Sequence, residues 1–323
     1  MIFRGEFSLD ISIVIPVYNG EETIKLCLDA VSGLTIQEGM NIEILLINDG
    51  STDRTKEIAS AYPNVKIIDL EKNMGRVQAR KTGAENAKYE NILLIDTRIE
   101  VFNDLLQNIQ KIGYQPLMAG SLNDEKYKSE YDTLLYLIRR KFYHPYYPQF
   151  KYAKELWITQ DNFLKAPKGT GCLILSRELF LKSIPDIIEK DSSDDTAILK
   201  NIVFQNDTKI LRHTDLNIKY HSREGNDVYS WINHRGKTFA DHYLRFVNKF
   251  SILYFSTLFI SAYLFLFYPF RLLMLIVSAI ILTTLYLFED HKDIFPVMKQ
   301  LPILGFAFFI GSLEKLIKII FKK

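Results

Sequence analysis

The stretch NILLIDTRIE, residues 91 to 100, is an apolar run that stops at a carboxylate, Asp96, with a guanidinium, Arg98, two residues on. In an extended chain alternate side chains share a side, so the acid and the base project together. A surface ion pair is the plain alternative, and it loses ground only if other polar groups converge on the same place. Two other polar clusters follow apolar runs in the same way, Pro16-Val17-Tyr18-Asn19 and Asn48-Asp49-Gly50. A further acidic run, DSSDDT at 191 to 196, sets Asp194 beside Asp195. Neighbouring carboxylates favour each other's protonated form, which suits a general base. The run lacks the central glycine and terminal glutamate of a calcium loop. Ser192, Ser193 or Asp194 would equally cap a helix running from Thr196.

The elements that must position these groups are legible from their periodicity. Residues 11–16 (ISIVIP), 42–47 (IEILLI), 65–70 and 92–95 are short, largely apolar strand patterns. Helical patterns stand between them, one through Ala30 and Val31, one capped by Ser51 or Thr52, and one from Gly75 to Lys88. Strands apolar on both sides, alternating with helices, define an α/β fold with a Rossmann-like, mostly parallel sheet covered on both faces. Ligands of such sheets sit beyond the carboxyl ends of the strands. All three polar clusters therefore fall on one rim. The first loop reads PVYNGEE, which excludes the glycine-rich dinucleotide fingerprint, and no P-loop pattern occurs.

The chain is 48% hydrophobic and 24% charged, with a net charge of +2, which excludes a disordered chain and a nucleic-acid binder working by bulk charge. The apolar excess lies at the carboxy terminus. Residues 251–288 carry one charge, Arg271, and as one straight helix would be roughly 57 Å long, nearly twice the ~30 Å hydrocarbon core. Tyr268-Pro269-Phe270-Arg271 breaks the run into a transmembrane helical hairpin with spans at about 251–270 and 272–288. Arg245 and Lys249 precede it on the side the positive-inside rule gives to the cytosol. A third segment at about 301–320 reads either as a span or as a re-entrant piece leading into an amphipathic surface helix. The expected domains are 1–245, cytosolic, and 246–323, membrane. MIFRGEFSLD shows no signal-peptide pattern. Two cysteines in apolar surroundings, Cys27 and Cys172, fit a reducing compartment and no disulfide framework.

IVIPVYNGEETI, LLINDGSTDRT, NMGRVQARKTGAENA and ILLID together resemble the successive nucleotide-binding motifs of family 2 glycosyltransferases, which have the GT-A fold. The resemblance covers roughly the first hundred residues. Weaker anchors follow at GTGCLILSREL, SSDDTAIL, KYH ending at His221, and SWINHRG. It implies that Pro16, Tyr18 and Glu21 line the nucleobase and ribose, and that Asp49 accepts a hydrogen bond from the base, although Asp-Gly is also plain turn chemistry. It implies that Arg80 lies near the pyrophosphate or braces Asp96. It places Gly171 and Arg235 on the acceptor or phosphate side, and it makes Asp195, with Asp194 beside it, the base that deprotonates the acceptor.

The family pattern continues the fourth strand with Asp-x-Asp, which helps to hold a divalent cation, Mg2+ or Mn2+. Here Asp96-Thr97-Arg98 replaces the second acid by a cation. Three readings stay open. Arg98 supplies the positive charge and grips a phosphate bidentately; or a metal is held by Asp96 and His221 with Glu100 helping; or activity has been lost. SWINHRG keeps an arginine but lacks the glutamine and tryptophan of processive synthases, which argues against a polymer synthase. Residues 131–152, dense in tyrosine and basic side chains, read equally as an acceptor or membrane-interface segment and as cover for the sheet. The expectation is an inverting, hexosyltransferase-type enzyme of the cell membrane with its catalytic domain on the cytosolic face. It would move one sugar from a nucleoside diphosphate sugar, UDP-linked, to a lipid-linked glycan, glycolipid or polyprenyl phosphate. The competing class is an inactive binding or assembly protein of the same fold.

Overall fold

The computed structural model describes residues 10–122, 129–143, 155–186, 195–221, 223, 226–244 and 247–321. Two compact units divide the chain, one made of 1–123 and 143–221, the other of 124–142 and 222–323.

The first unit opens with β1 (Ile11–Val17), α1 (Ile24–Ser32), β2 (Ile42–Asn48), α2 (Thr55–Ala59), β3 (Val65–Asp69), α3 (Arg76–Glu85) and β4 (Asn91–Ile95). Strand alternation sorts the core into two clusters. Ile11, Ile13, Ile15, Leu46, Leu93 and Ile95 belong to one, with Cys27, Leu28 and Val31 of α1. Val14, Leu45, Ile47, Ile92 and Leu94 belong to the other, with Val77, Ala79 and Ala84 of α3. A strand buried on both faces has no polar side, which is why these runs read as continuously apolar. β5 (Ile99–Val101), α4 (Leu105–Ile112), β6 (Leu117–Leu122), then, beyond α5, β7 (Leu156–Ile158), β8 (Cys172–Ser176), α6 (Arg177–Lys182), α7 (Asp195–Phe204) and β9 (Ile210–Tyr220) complete the unit. The intervening α5 (Glu130–Phe142) belongs to the second unit.

The sheet runs β3-β2-β1-β4-β8-β6-β9-β5, with β7 paired to β9. The β3-β2-β1-β4 half is parallel, as expected. Beyond it the sheet is mixed: β8 lies antiparallel on β4, with Ile95 opposite Cys172, and β6, β5 and β7 add both senses. That antiparallel pairing brings the loop before β8 to the carboxyl end of β4.

The second unit holds α5, α8 (Asn226–Phe239), a π-helical turn at Ala240–Leu244, α9 (Lys249–Phe267), α10 (Pro269–Leu287) and α11 (Ile294–Phe321). α9 starts at a capping box between Asn248 and Ser251. It stops at Tyr268, and Pro269 opens α10. Each has 19 residues, and both are long and apolar enough to cross a membrane by length and composition. The region expected to hold a third segment is part of one continuous 28-residue helix, α11.

The boundary at His221/Ser222 differs from the 245/246 expected. α8 and α11 are locked by two glycines: a Cβ at Gly236 would sit 2.0 Å from the Phe308 carbonyl oxygen, and one at Gly311 1.9 Å from that of Asn233. The polar helix α8 thus packs backbone to backbone against α11, an association its charged sequence hides. Arg245 and residues 144–152 of the tyrosine-rich 131–152 segment lie outside the described residues.

Candidate functional site

The loops after β1 and β2 are stitched together by backbone and side chain. Asn19, at φ +46°, donates its N–H to Ser51 Oγ at 3.0 Å and accepts from the Thr52 N–H at 2.9 Å. Gly20 N–H donates to Thr55 Oγ1 at 2.8 Å. The Glu21 carboxylate accepts the Arg54 N–H at 3.1 Å, so this acid fastens the first loop to the start of α2. Pro16 is buried within β1, whereas Tyr18 beyond its end is 48% exposed and available to a flat ligand.

Asp49, expected to accept a hydrogen bond from the base, directly follows β2. It is buried, and its two oxygens accept the Met74 and Gly75 N–H groups at 2.6 and 2.9 Å. It anchors the loop leading into α3. Gly50 beside it has φ +70°, and a Cβ there would meet Lys72 and Asn73 backbone at 2.7 Å, so only glycine lets the two loops approach.

The centre of the site is Asp96. Arg80, wholly buried in α3, reaches its Oδ1 at 2.6 Å and donates a second bond to Thr170 Oγ1 at 2.6 Å. The Asp96 N–H donates to the Gly171 carbonyl at 2.9 Å, closing a ring of α3, the β4 end and the loop before β8. A Cβ at Gly171 would lie 2.8 Å from Ile99 Cδ1, so glycine there lets the loop pass close over Ile99. Arg76 Nη1, 45% exposed, stands 3.9 Å from Asp96 Oδ2. Sequence reading missed Arg76, although its position one helical turn before Arg80 puts both guanidinia on one face of α3. It missed Thr170 as well, which carries no local signal.

Arg98 is partly buried, and its carbonyl accepts the His221 N–H at 2.8 Å. The His221 ring is not offered to Asp96. Its Nε2 meets Glu100 Oε2 at 2.8 Å, and Lys219 Nζ approaches the same oxygen at 3.3 Å. The hydrogen bond from His221 is the main cause holding the Glu100 carboxyl below its ordinary range. Burial pushes both thiols up, that of Cys172 to about 12, with the Asp96 charge adding to the effect. Neither serves as a nucleophile.

The expected Asp96–His221–Glu100 metal set is therefore not assembled. Two guanidinia already face the Asp96 oxygens, Glu100 holds the imidazole, and among the described residues no three His, Cys, Asp or Glu side chains gather. A divalent cation beside Asp96 would be repelled by Arg76 and Arg80, so these residues fit a metal poorly and fit an anion well. Asp195 opens α7, while Asp194 lies outside the described residues. Arg235 belongs to the second unit, where its guanidinium lies 5.2 Å over the Trp231 ring.

A parallel half-sheet with a charged carboxyl rim, continued by antiparallel strands, is the GT-A arrangement. Residues 12–154 match the model of glycosyl transferase family 2, and this segment is similar to that family. The chain is 28% identical over 156 residues to glycosyltransferase GlyA of Streptococcus pneumoniae, and 38% identical over 90 residues to glycosyltransferase AglE of Haloferax volcanii. It is 32% identical over 130 residues to a dolichyl-phosphate beta-glucosyltransferase of Trichomonas vaginalis. These matches cover 47%, 27% and 35% of this chain and 22%, 29% and 40% of the relatives. Among solved structures, the mannosyltransferase PcManGT of Pyrobaculum calidifontis, in complex with GDP-Man and Mn2+, superposes with a TM-score of 0.59 at 13% identity, over 95% of this chain and 86% of that one. Residues 1–349 of S. aureus TarS, in complex with UDP-GlcNAc, superpose with a TM-score of 0.50 at 18% identity, over 72% and 71% of the two chains. Such likeness fixes the fold.

Proposed function

We propose that the protein is an inverting glycosyltransferase that moves one sugar from a UDP-linked donor to a membrane-held acceptor, a lipid-linked glycan, a glycolipid or a polyprenyl phosphate. The observation that carries this reading is the ring of Arg80, Asp96 and Gly171 at the strand rim, with Arg76 at its edge. Tyr18 takes the nucleobase face. Arg76 and Arg98 carry the positive charge for the diphosphate, since guanidinium binds phosphate oxygens bidentately. The acceptor oxygen attacks the anomeric carbon as the bond to the diphosphate breaks, and positioned cations stabilise the charge that develops on the leaving phosphate. Asp195 takes the proton of a hydroxyl acceptor; an ionised phosphate acceptor needs no base.

α9 and α10 serve as the transmembrane hairpin that tethers the transferase domain to the cytosolic face of the cell membrane. Their composition, and the name of the Trichomonas relative, support a lipid acceptor. The test is transfer from radiolabelled UDP- and GDP-sugars by the full chain in vesicles holding polyprenyl phosphate or glycolipid. Label should enter the lipid phase from one UDP-sugar. No transfer from any donor would contradict the reading.

A further inference from the structure

α11 carries two stripes on opposite sides. Val297, Leu304, Gly311 and Leu316 are buried. Phe295, Met298, Ile303 and Phe306, and further along Ile317 and Ile320, are exposed toward the opposite side. The buried side is flanked by charge at both ends: Lys299 Nζ meets Glu130 Oε2 of α5 at 2.7 Å, Glu314 meets Lys237 of α8 at 2.8 Å, and Lys315 meets Asp241 at 3.4 Å. Its middle crosses α8 at Gly236. α8 itself exposes Tyr229, His234 and Arg235. A helix held by ion pairs near both ends is not placed to cross hydrocarbon, yet its exposed side is mostly apolar, with Lys299, Glu314 and Lys318 as the exposed charges.

Six residues separate the end of α10 at Leu287 from the start of α11 at Ile294. If α10 crosses the bilayer, α11 begins where α10 leaves it. Resting on that membrane reading, we propose that α11 lies flat in the lipid–water interface. Its exposed stripe sits about 5–10 Å into the headgroup and acyl boundary, with α5 and α8 on its water side. The exposed surfaces of α10 and α11 then form one lipid-facing surface, and α11 is a float for the second unit rather than a third span.

The experiment places single cysteines at Phe295, Phe306 and Ile320, and at Phe259 within α9, in the full chain. Each is labelled with NBD, reconstituted in phosphatidylcholine–phosphatidylglycerol vesicles and quenched with spin-labelled lipids at graded depth. The buried Cys27 and Cys172 are controlled for by the unsubstituted chain. The expected result is one shallow depth for Phe295, Phe306 and Ile320 and a deep label at Phe259. Phe306 near the bilayer centre, about 15 Å deeper than Phe295 and Ile320, makes α11 a span and overturns the proposal. A deep Phe259 with no lipid quenching on α11 gives that stripe to another protein copy and also overturns it. Lipid quenching at none of the four overturns the membrane reading and the proposal together.

Discussion

The Arg80 guanidinium, without solvent exposure, meets the Asp96 carboxylate at 2.6 Å, so the acid at the end of β4 is held by a buried cation rather than presented alone. The pair also ties α3 to the Thr170–Gly171 loop.

Arg80→Ala leaves Asp96 without its main partner and opens a void in the domain core. It is expected to cost about 3–5 kcal/mol in urea unfolding of the full chain. Arg80→Lys keeps the charge but loses the Thr170 bond, and should cost less. Equal stability of all three proteins would remove Arg80 from its bracing role.

Asp195→Asn is expected to lower kcat with a hydroxyl acceptor by about 10²–10⁴-fold while UDP affinity stays unchanged. A parallel fall in donor affinity would make Asp195 part of the donor site instead. An unchanged kcat would point to an acceptor that arrives ionised.

Three glycine substitutions probe the second unit. Gly236→Ala and Gly311→Ala each drive a methyl group into backbone at about 2 Å, which forces the helices apart. Gly305→Ala, on the same helix with nothing within 4 Å, gains up to about 1 kcal/mol of helix propensity. Thermal unfolding in detergent should show the first two well below the unsubstituted chain and the third at or above it.

Glu100 gives a pH signature. Its carboxyl is depressed below 4.5, chiefly by the His221 hydrogen bond. The stabilisation is therefore complete above that value and is lost as pH falls through the folded-state pKa. Glu100→Gln should cost about 1 kcal/mol near neutral pH, and the gap to the unsubstituted chain should close in acid. A gap that persists at low pH would contradict the charged pairing.

The sequence shows part of this and hides the rest for physical reasons. β1 and β4 and most of β2 are buried on both faces, so their apolar runs are nearly continuous, and the ends of β1–β4 sit within a residue or two of the expected positions. The strand-end acid Asp96 was visible for the same reason, because polarity returns abruptly where the strand stops. Thr170 was not, since its place beside Arg80 depends on β8 pairing antiparallel with β4, a contact spanning some eighty residues that leaves no periodic mark. The anchoring of Asp49 by the Met74 and Gly75 N–H groups was hidden, because side-chain type does not reveal which backbone groups will come near. The hairpin break at Tyr268-Pro269 followed from proline chemistry. The union of α8 with α11 rests on two glycines 75 positions apart, each ordinary in its own context.

Arg76, beside Asp96, and Arg98, two residues on in the chain, are proposed to hold a nucleoside diphosphate. The most direct test is calorimetric titration of the detergent-purified full chain with UDP, in EDTA and again in manganese. Binding should persist in EDTA and weaken about tenfold or more in Arg76→Ala and in Arg98→Ala, the loss expected for one charge-assisted contact. Binding that appears only with manganese, or that ignores both substitutions, would contradict the account.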